Sequence, residues 1–194
     1  GHILTEEEMD VIVAAADSVG AWILSDEVYR GAERTQEAEA PSFFGRYDKV
    51  LAVGSMSKAY GLPGLRVGWV VGPPDTIEDL WRRHEYTAIT AGMISNHLAA
   101  HALSESVRPR LRARARDYIK AGYPVLKSWM DSQQELFSHT PPQASAVTFI
   151  RYDLEVSSTE LMEKLCREAS VFVGAGDSFG MDKHIRIAFG QEKE

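Results

Sequence analysis

Apolar residues recur along the chain at two different periods, which predict different elements. Thr5 and Glu8 have the spacing of a helix capping box, and the apolar positions that follow recur at helical intervals. These positions are Met9, Ile12, Val13 and Ala16. Short, nearly continuous apolar runs at 21–25, 50–54 and 67–71 instead predict strands, the first two of them buried and parallel. The mixture of helices and strands indicates an α/β fold.

The pattern changes in the second half of the chain. Helices are predicted at 93–104 and 107–130, and Pro124 is expected to bend or split the longer one because proline lacks the N–H that a helix interior uses. A strand, a helix and two short strands follow, which is an α+β arrangement. Their predicted ranges are 146–151, 157–169, 171–173 and 184–189.

This change of pattern predicts two domains. Residues 1–105 are expected to form the carboxyl-terminal part of a large α/β domain with a mostly parallel sheet. Residues 106–194 are expected to form a small α+β domain that includes the linking helix.

Composition and charge narrow the classes of function. Of the 194 residues, 44% are hydrophobic and 25% are charged, as in an ordinary globular protein. The net charge of −7 disfavours nucleic acid as a partner. Arginines alternate from Arg108 to Arg116, but this spacing spreads them around a helix and favours a solvated basic surface. No apolar run approaches the roughly 20 residues of a membrane helix, so no membrane association is expected.

Cysteine and histidine usage carries two further predictions. Cys166 is the only cysteine, which excludes an internal disulfide and favours a reducing, cytoplasmic setting in which this residue packs inside the protein. His97 and His101 have the spacing of a metal-binding pair on a helix, but no third ligand is evident nearby. We therefore predict no metal site.

The segment from Ser55 to Trp69 carries the clearest chemical signal. It follows a predicted strand, and α/β folds place ligands beyond the carboxyl ends of strands. Lys58, close to apolar walls, would keep part of its amine neutral, as nucleophilic attack on an aldehyde requires. The hydroxyls of Ser55 and Ser57 and the planar guanidinium of Arg66 suit a phosphate. Any one of these residues alone would more often be an ordinary surface residue, but together they predict a site.

This segment resembles the signature of the fold-type I aminotransferases of classes I and II, which depend on pyridoxal 5′-phosphate (PLP). That signature is a serine, any residue, a serine and a lysine, then a glycine-rich turn and an arginine eight positions after the lysine. The matching residues are Ser55, Ser57, Lys58, Gly61, Leu62, Gly64, Leu65, Arg66 and Gly68. The resemblance implies that Lys58 forms a Schiff base with PLP. It also implies that Ser55, Ser57 and Arg66 surround the cofactor phosphate.

A second signature of the family is similar to the sequence from Ser25 to Tyr29, where the first predicted strand ends. The resemblance implies that Asp26 faces the pyridine nitrogen and keeps the ring protonated, so that the ring can accept electrons from the substrate. It implies that Tyr29 donates its hydroxyl to the phenolic oxygen of the cofactor. Without the lysine signature, the acidic pair Asp26 and Glu27 would be interpreted as a helix cap or a solvated turn.

The third feature is the alternating strand near the end of the chain, in which Arg186 points away from its apolar neighbours. A planar guanidinium can hold the α-carboxylate of an amino acid at two points. The resemblance supports Arg186 as the substrate-binding residue, since a similar strand in the family follows a turn of glycines and an aromatic residue, here 174–180. Without this context, Arg186 would be interpreted as an exposed strand residue.

The resemblance implies an aminotransferase of amino acid metabolism that moves an amino group between an amino acid and a 2-oxo acid. It implies catalysis by Lys58, Asp26 and Tyr29 in a homodimer. It also places Gly1 at the end of an Asn-Pro-Thr-Gly motif, so parts of the family's site would lie upstream. We therefore expect the chain to be a fragment that is inactive alone.

Two alternatives remain open at this point. The same residues would serve another fold-type I PLP enzyme, such as a decarboxylase, a β-lyase or a cyclase. They would also serve a non-catalytic PLP-binding regulatory module. The identities of the amino acid and the 2-oxo acid cannot be predicted from the sequence.

Overall fold

The computed structural model describes residues 1–133 and 135–191. They form two compact units. The first unit is Ile3–Ala115, and the second comprises Gly1–His2 and the residues from Arg116 onward. Residues 134 and 192–194 of the predicted second domain lie outside the described residues.

The first unit is built from helices and a small sheet, as the α/β pattern predicted. Its elements are α1 (Glu6–Ser18), β1 (Ile23–Asp26), β2 (Val50–Ser55), a 3-10 helix (Pro63–Leu65), β3 (Gly68–Val71), α2 (Pro74–His84) and α3 (Met93–Ala102). The predicted capping box of α1 is confirmed: the Thr5 hydroxyl accepts a hydrogen bond from Glu8 N, and the Glu8 carboxylate accepts one from Thr5 N. The helix α4 (Arg108–Asp131) begins in this unit and ends in the second.

The sheet of the first unit has the order β1-β2-β3. β1 and β2 are parallel, with Asp26 opposite Val53, whereas β3 is antiparallel to β2. One face of β2 is buried against α1, in a core formed by Met9, Phe43, Val50 and Ala52. The prediction of a buried first strand was wrong, because Leu24 in β1 is 70% exposed. Nothing among the described residues covers that face.

The second unit is an α+β arrangement around an antiparallel sheet of order β4-β5-β7-β6. Its elements are β4 (Phe137–Ser138), β5 (Val147–Tyr152), α5 (Ser158–Ala169), β6 (Gly174–Ala175), a second 3-10 helix (Gly176–Phe179) and β7 (His184–Ala188). The predicted strand at 171–173 was wrong. Ser170 ends α5 in the left-handed conformation and Val171 N still donates to Leu165 O at 3.2 Å, so strand pairing begins only at Gly174.

Two predictions about single positions also need correction. Pro124 neither splits nor ends α4, which the structure assigns as one helix from Arg108 to Asp131. Proline is tolerated there because it lies on the exposed side, while Tyr123 and Leu126 beside it are buried. Cys166 is exposed on α5 rather than packed inside.

The arginines of α4 are not a solvated basic surface throughout. Arg108 donates to Glu39 at 2.8 Å and to the Tyr60 hydroxyl at 3.2 Å, and Arg112 also forms an ion pair with Glu39. Arg116 is only 8% exposed. The arginines therefore hold the start of α4 against the loop that carries Glu39. No helix within residues 1–133 or 135–191 combines the length and the apolar character needed to cross a membrane.

Candidate active site

The predicted cofactor-binding residues of the first unit gather at one edge of its sheet. Asp26 is the last residue of β1 and Ser55 is the last residue of β2. Because β1 and β2 are parallel and paired in register, their carboxyl ends meet at the same edge. Lys58 follows β2 by three residues, so the structure brings the acidic and lysine signatures together.

The loop after β2 folds back on itself and carries Arg66 towards the serines. Met56 N donates to Val67 O at 3.0 Å, and Leu62 N donates to Met56 O at 2.9 Å. The 3-10 helix at Pro63–Leu65 ends at Arg66, whose φ of 54° lies in the left-handed region. Val67, the residue after Arg66, is joined to the end of β2 by its carbonyl. This carbonyl accepts hydrogen bonds from Met56 N and, at 3.5 Å, from Ser55 Oγ.

The serines of the signature are linked by a local hydrogen bond. Ser55 Oγ accepts from Ser57 N at 3.0 Å, and both side chains are half-buried. Arg66 is exposed and uses one guanidinium N–H to donate to Pro63 O at 2.8 Å. Two hydroxyls and a cation thus lie on one short loop, which is a donor set suited to a phosphate.

Lys58 is exposed, and its amine has no hydrogen-bond or ion-pair partner among the described residues. Its carbonyl accepts from Gly61 N at 3.0 Å, and Gly61 has a φ of 64° that favours glycine. The expectation that apolar walls surround Lys58 was therefore wrong for the described chain. The tight turn fixes the backbone while the amine remains free to react.

The neighbouring acidic residues Asp26 and Glu27 have different surroundings. Asp26 is exposed, and its Oδ1 accepts from Val28 N at 3.2 Å. Glu27 is half-buried, and its Oε1 accepts from the hydroxyls of Ser25 and Ser42 at 3.1 and 2.8 Å and from Phe43 N at 3.0 Å. The Glu27 carboxylate is committed to the fold, whereas the Asp26 carboxylate is available to a ligand.

Tyr29 lies in the turn that follows β1 and is half-buried. Its carbonyl accepts from Ala32 N at 2.9 Å, which closes the turn. Ala59 N donates to Val28 O at 3.4 Å, so the turn of Tyr29 is joined to the segment of Lys58. This contact couples the two signatures through the backbone.

A cleft of about 320 Å³ adjoins this edge of the sheet. Ser55 and Val28 line it, together with Glu27 and Tyr60, whereas neither Lys58 nor Asp26 does. Lys58, Asp26 and Arg66 lie on exposed surface outside the cleft, whereas the half-buried Ser55 lines it. Their chemistry fits all three parts of the cofactor: an amine for the aldehyde, a carboxylate for the pyridine nitrogen, and hydroxyls with a guanidinium for the phosphate.

Arg186 belongs to the second unit, in β7, and is half-buried. Its guanidinium carbon lies 5.6 Å from the centre of the Phe179 ring. Sequence reasoning noticed the turn of glycines and an aromatic residue before β7 but not this contact. The sequence signal that could have indicated this contact is the aromatic residue Phe179, seven positions before Arg186.

The whole chain, residues 1–194, matches the family model of aminotransferase class I and II. Capreomycidine synthase from Streptomyces vinaceus is 32% identical over 145 residues, which are 73% of this chain and 36% of that protein. Histidinol-phosphate aminotransferase 1 from Nitrosococcus oceani is 25% identical over 199 residues, covering 100% of this chain and 50% of that protein. The crystal structure of a PLP-dependent aminotransferase from Streptococcus suis superposes with a TM-score of 0.89 at 31% identity, covering 97% of this chain and 49% of that chain.

The fold and the arrangement of the signature residues define a class I and II aminotransferase scaffold. The chain belongs to the aminotransferase class I and II family. It spans half or less of the length of the curated relatives described above.

Proposed function

We propose that the chain is part of a PLP-dependent aminotransferase that moves an amino group between an amino acid and a 2-oxo acid. The observation that supports this most directly is the position of Asp26 at the carboxyl end of β1 and of Lys58 three residues beyond the carboxyl end of the adjacent, parallel strand β2. When bound, PLP supplies an aldehyde that condenses with amines and a ring that accepts electrons from the substrate Cα.

Each residue of the first unit has a proposed task towards the cofactor. Lys58 Nζ would hold the cofactor through its aldehyde, and the same amine, when free, would accept the proton from the substrate Cα. The Asp26 carboxylate pairs with the protonated pyridine nitrogen, and the Tyr29 hydroxyl donates to the phenolic oxygen. Ser55, Ser57 and Arg66 hold the phosphate.

Arg186 is proposed to bind the substrate. Its planar guanidinium presents parallel N–H groups that match the two oxygens of an α-carboxylate. The contact with the Phe179 ring restricts the side chain, which favours one orientation of the guanidinium.

We also propose that the enzyme acts as a cytoplasmic homodimer. Apolar side chains around α3 are strongly exposed: Tyr86 by 93%, Met93 by 85%, Ile94 by 77% and Ile89 by 73%. Surface of this kind is typical of an interface between subunits. A single free cysteine suits a reducing compartment. Light scattering of the holoenzyme, with Met93→Glu as the disrupting variant, tests the dimer.

Another PLP reaction is the second candidate, and one observation favours it. A relative with 32% identity is named a synthase rather than an aminotransferase. Assays of the holoenzyme for 2-oxo acid, carbon dioxide and ammonia separate the reactions. Carbon dioxide or ammonia without 2-oxo acid would contradict transamination.

Reduction with borohydride tests the central assignment. We expect mass spectrometry of the reduced, digested holoenzyme to find the phosphopyridoxyl group on Lys58, and Lys58→Ala to abolish the labelling and the turnover. Lys49→Ala is a matched control, because Lys49 Nζ donates to Gly20 O at 3.0 Å elsewhere on the unit. The group on Lys49 or Lys120 instead would overturn the assignment.

A further inference from the structure

The surroundings of Arg186 are built from three strands and one aromatic ring. Arg186 in β7 pairs with Phe149 in β5 on one side and with Gly174 in β6 on the other. The Phe179 ring packs edge-to-face on Phe149 at 5.2 Å and lies 5.6 Å from the guanidinium. Phe179 is 53% exposed, so packing on the strands covers it only in part, and the position of the ring also depends on the segment that carries it.

The segment that carries Phe179 is a tight turn with little freedom. Met181 N donates to Gly176 O at 2.9 Å, and Gly180 N donates to Asp177 O at 3.0 Å. A Cβ at Gly176 would overlap the carbonyl oxygens of Met181 and His184, so only glycine fits there. The turn is therefore closed on itself, and the position of the ring depends on where the whole turn is attached.

The turn is attached to the first turn of α5. The Asp177 carboxylate accepts from the Thr159 hydroxyl at 2.8 Å and from Thr159 N at 3.3 Å. Asp177 N donates to Ser158 Oγ at 2.8 Å, and Ser158 is fully buried. The bond from Thr159 N satisfies a helix N–H group that has no partner within the helix, and the partial positive charge of the helix start favours the carboxylate.

A second aspartate strengthens the same attachment at the far end of the turn. Asp182 Oδ1 accepts from Ser158 N at 2.8 Å and from Lys183 N at 2.7 Å. The turn from Gly176 to Asp182 is thus fixed to α5 at both ends, with Phe179 between the two aspartates. A change in the helix contacts would move the ring relative to Arg186.

We propose that Asp177 is a positioning residue for Arg186. By fixing the turn to α5, it holds the Phe179 ring against the guanidinium and keeps Arg186 in one orientation. The consequence for catalysis rests on the proposed function, in which Arg186 binds the substrate carboxylate. Holding the Arg186 guanidinium in one orientation before the substrate binds changes the affinity for the substrate carboxylate rather than the affinity for the cofactor.

The first part of the test does not depend on enzymatic activity. The NMR signal of Arg186 Nε–Hε is followed in holoenzyme labelled with ¹⁵N-arginine, and it is assigned by its loss in Arg186→Lys. It should shift in Phe179→Leu, because that change removes the ring current of the phenyl group. We expect Asp177→Ala to shift it in the same direction and Asp177→Asn, which retains an acceptor oxygen, to restore most of the original position. Asp153→Ala is the matched control, since Asp153 is exposed and its side chain has no partner among the described residues. An unchanged resonance in Asp177→Ala overturns the proposal.

The second part measures the consequence for the substrate. We expect Asp177→Ala to lower kcat/KM for an amino acid about tenfold, mainly through KM, and to leave the rate with the amine that lacks the carboxylate unchanged. Combined with Arg186→Lys, it should add little further loss, because the two residues act through one contact. Equal losses for the amino acid and the amine overturn the positioning role.

Failure of the positioning role is distinguishable from failure of the proposed function. If Arg186→Lys leaves the KM for the amino acid unchanged, Arg186 does not bind the carboxylate and the proposed function fails at that residue, whatever the resonances show. If Asp177→Ala does not fold, Thr159→Val replaces it, since this change removes only the 2.8 Å hydroxyl bond. A Thr159→Val protein with the original Arg186 resonance and KM overturns the proposal.

Discussion

At the scale of single residues, adjacent positions with the same charge have separate tasks. The Glu27 carboxylate accepts hydrogen bonds from two hydroxyls and one backbone N–H, so its removal leaves several donors without their partner. Among the residues that the structure describes, the Asp26 carboxylate accepts a hydrogen bond only from Val28 N, just beyond the end of β1. The sequence identified both residues as an acidic pair, but only the packing of the loop at 42–43 distinguishes them.

This difference predicts opposite outcomes for two alanine substitutions. Asp26→Ala should leave the melting temperature nearly unchanged and retain bound PLP through the phosphate contacts, while turnover falls severely because the ring loses its partner. Glu27→Ala should lower the free energy of unfolding by about 1–3 kcal/mol. Calorimetry and single-turnover absorbance measure the two effects. Nearly normal turnover by the Asp26→Ala enzyme would refute the role of Asp26.

At the scale of elements, local signals were predictable and long-range ones were not. The capping box at Thr5 and the strand predicted at 50–54 depend on residues close in sequence, and the structure contains both. The continuity of α4 across Pro124 depends instead on packing of the helix face that contains Tyr123 and Leu126. Likewise, pairing with β7 decides where β6 begins, and no local pattern reveals it.

The signature residues divide in the same way. The lysine and acidic motifs could be located because they resemble the signatures of the family and follow predicted strands, and the carboxyl ends of strands are where an α/β sheet binds ligands. The exposure of Lys58 could not be predicted, since it depends on which other segments cover the edge. The contact of Phe179 with Arg186 could not be predicted either, because it depends on the attachment of the turn to α5. That attachment joins Asp177 to residues 18 and 19 positions earlier in the chain.

The close approach of α4 to Phe189, the residue after β7, predicts that replacing a helix glycine by alanine is destabilising. Alanine in a helix interior is normally about 1 kcal/mol more favourable than glycine. A Cβ at Gly122, however, would overlap the carbonyl oxygen of Phe189. We expect Gly122→Ala to lower the free energy of unfolding by at least about 1 kcal/mol, since overpacking exceeds the gain in propensity. Ala121→Gly at the exposed neighbour should cost about 0.5–1 kcal/mol, and urea titration measures both. A more stable Gly122→Ala protein would mean that the helix lies farther from β7.

The attachment of the turn to α5 predicts a loss of stability in acid. Hydrogen bonds from the backbone N–H groups of Ser158 and Lys183 hold the pKa of Asp182 below its ordinary value of 3.8. A carboxyl with a lowered folded pKa contributes stability above its unfolded pKa and loses it as the pH falls through the folded value. The melting temperature should therefore decrease as the pH is lowered below about 4. The decrease should be less steep in Asp182→Asn. Identical acid profiles for the two proteins would show that Asp182 does not contribute.

At the scale of the whole molecule, the first unit leaves apolar surface and strand edges uncovered. β1 and β3 are the edge strands of its sheet, and Trp22 and Leu24 near β1 are 50% and 70% exposed. Exposed edges beside apolar side chains favour pairing with another chain. The chain also matches only 49% of the length of the aminotransferase from Streptococcus suis.

These observations predict that the 194-residue chain, expressed alone, does not transaminate, although it carries Lys58. Surface lysines react slowly with free PLP, so Schiff-base absorbance alone is uninformative, and turnover is the measurement that counts. We expect no turnover from the purified chain. We expect measurable turnover when it is co-expressed with the part of the Streptococcus suis enzyme that it does not match, because that segment would cover the exposed edge and supply the remaining cofactor contacts. Lys58→Ala in the same mixture is the control and should stay inactive. Transamination by the chain alone at the rate of the mixture would contradict the prediction and show that residues 1–194 already form a complete site.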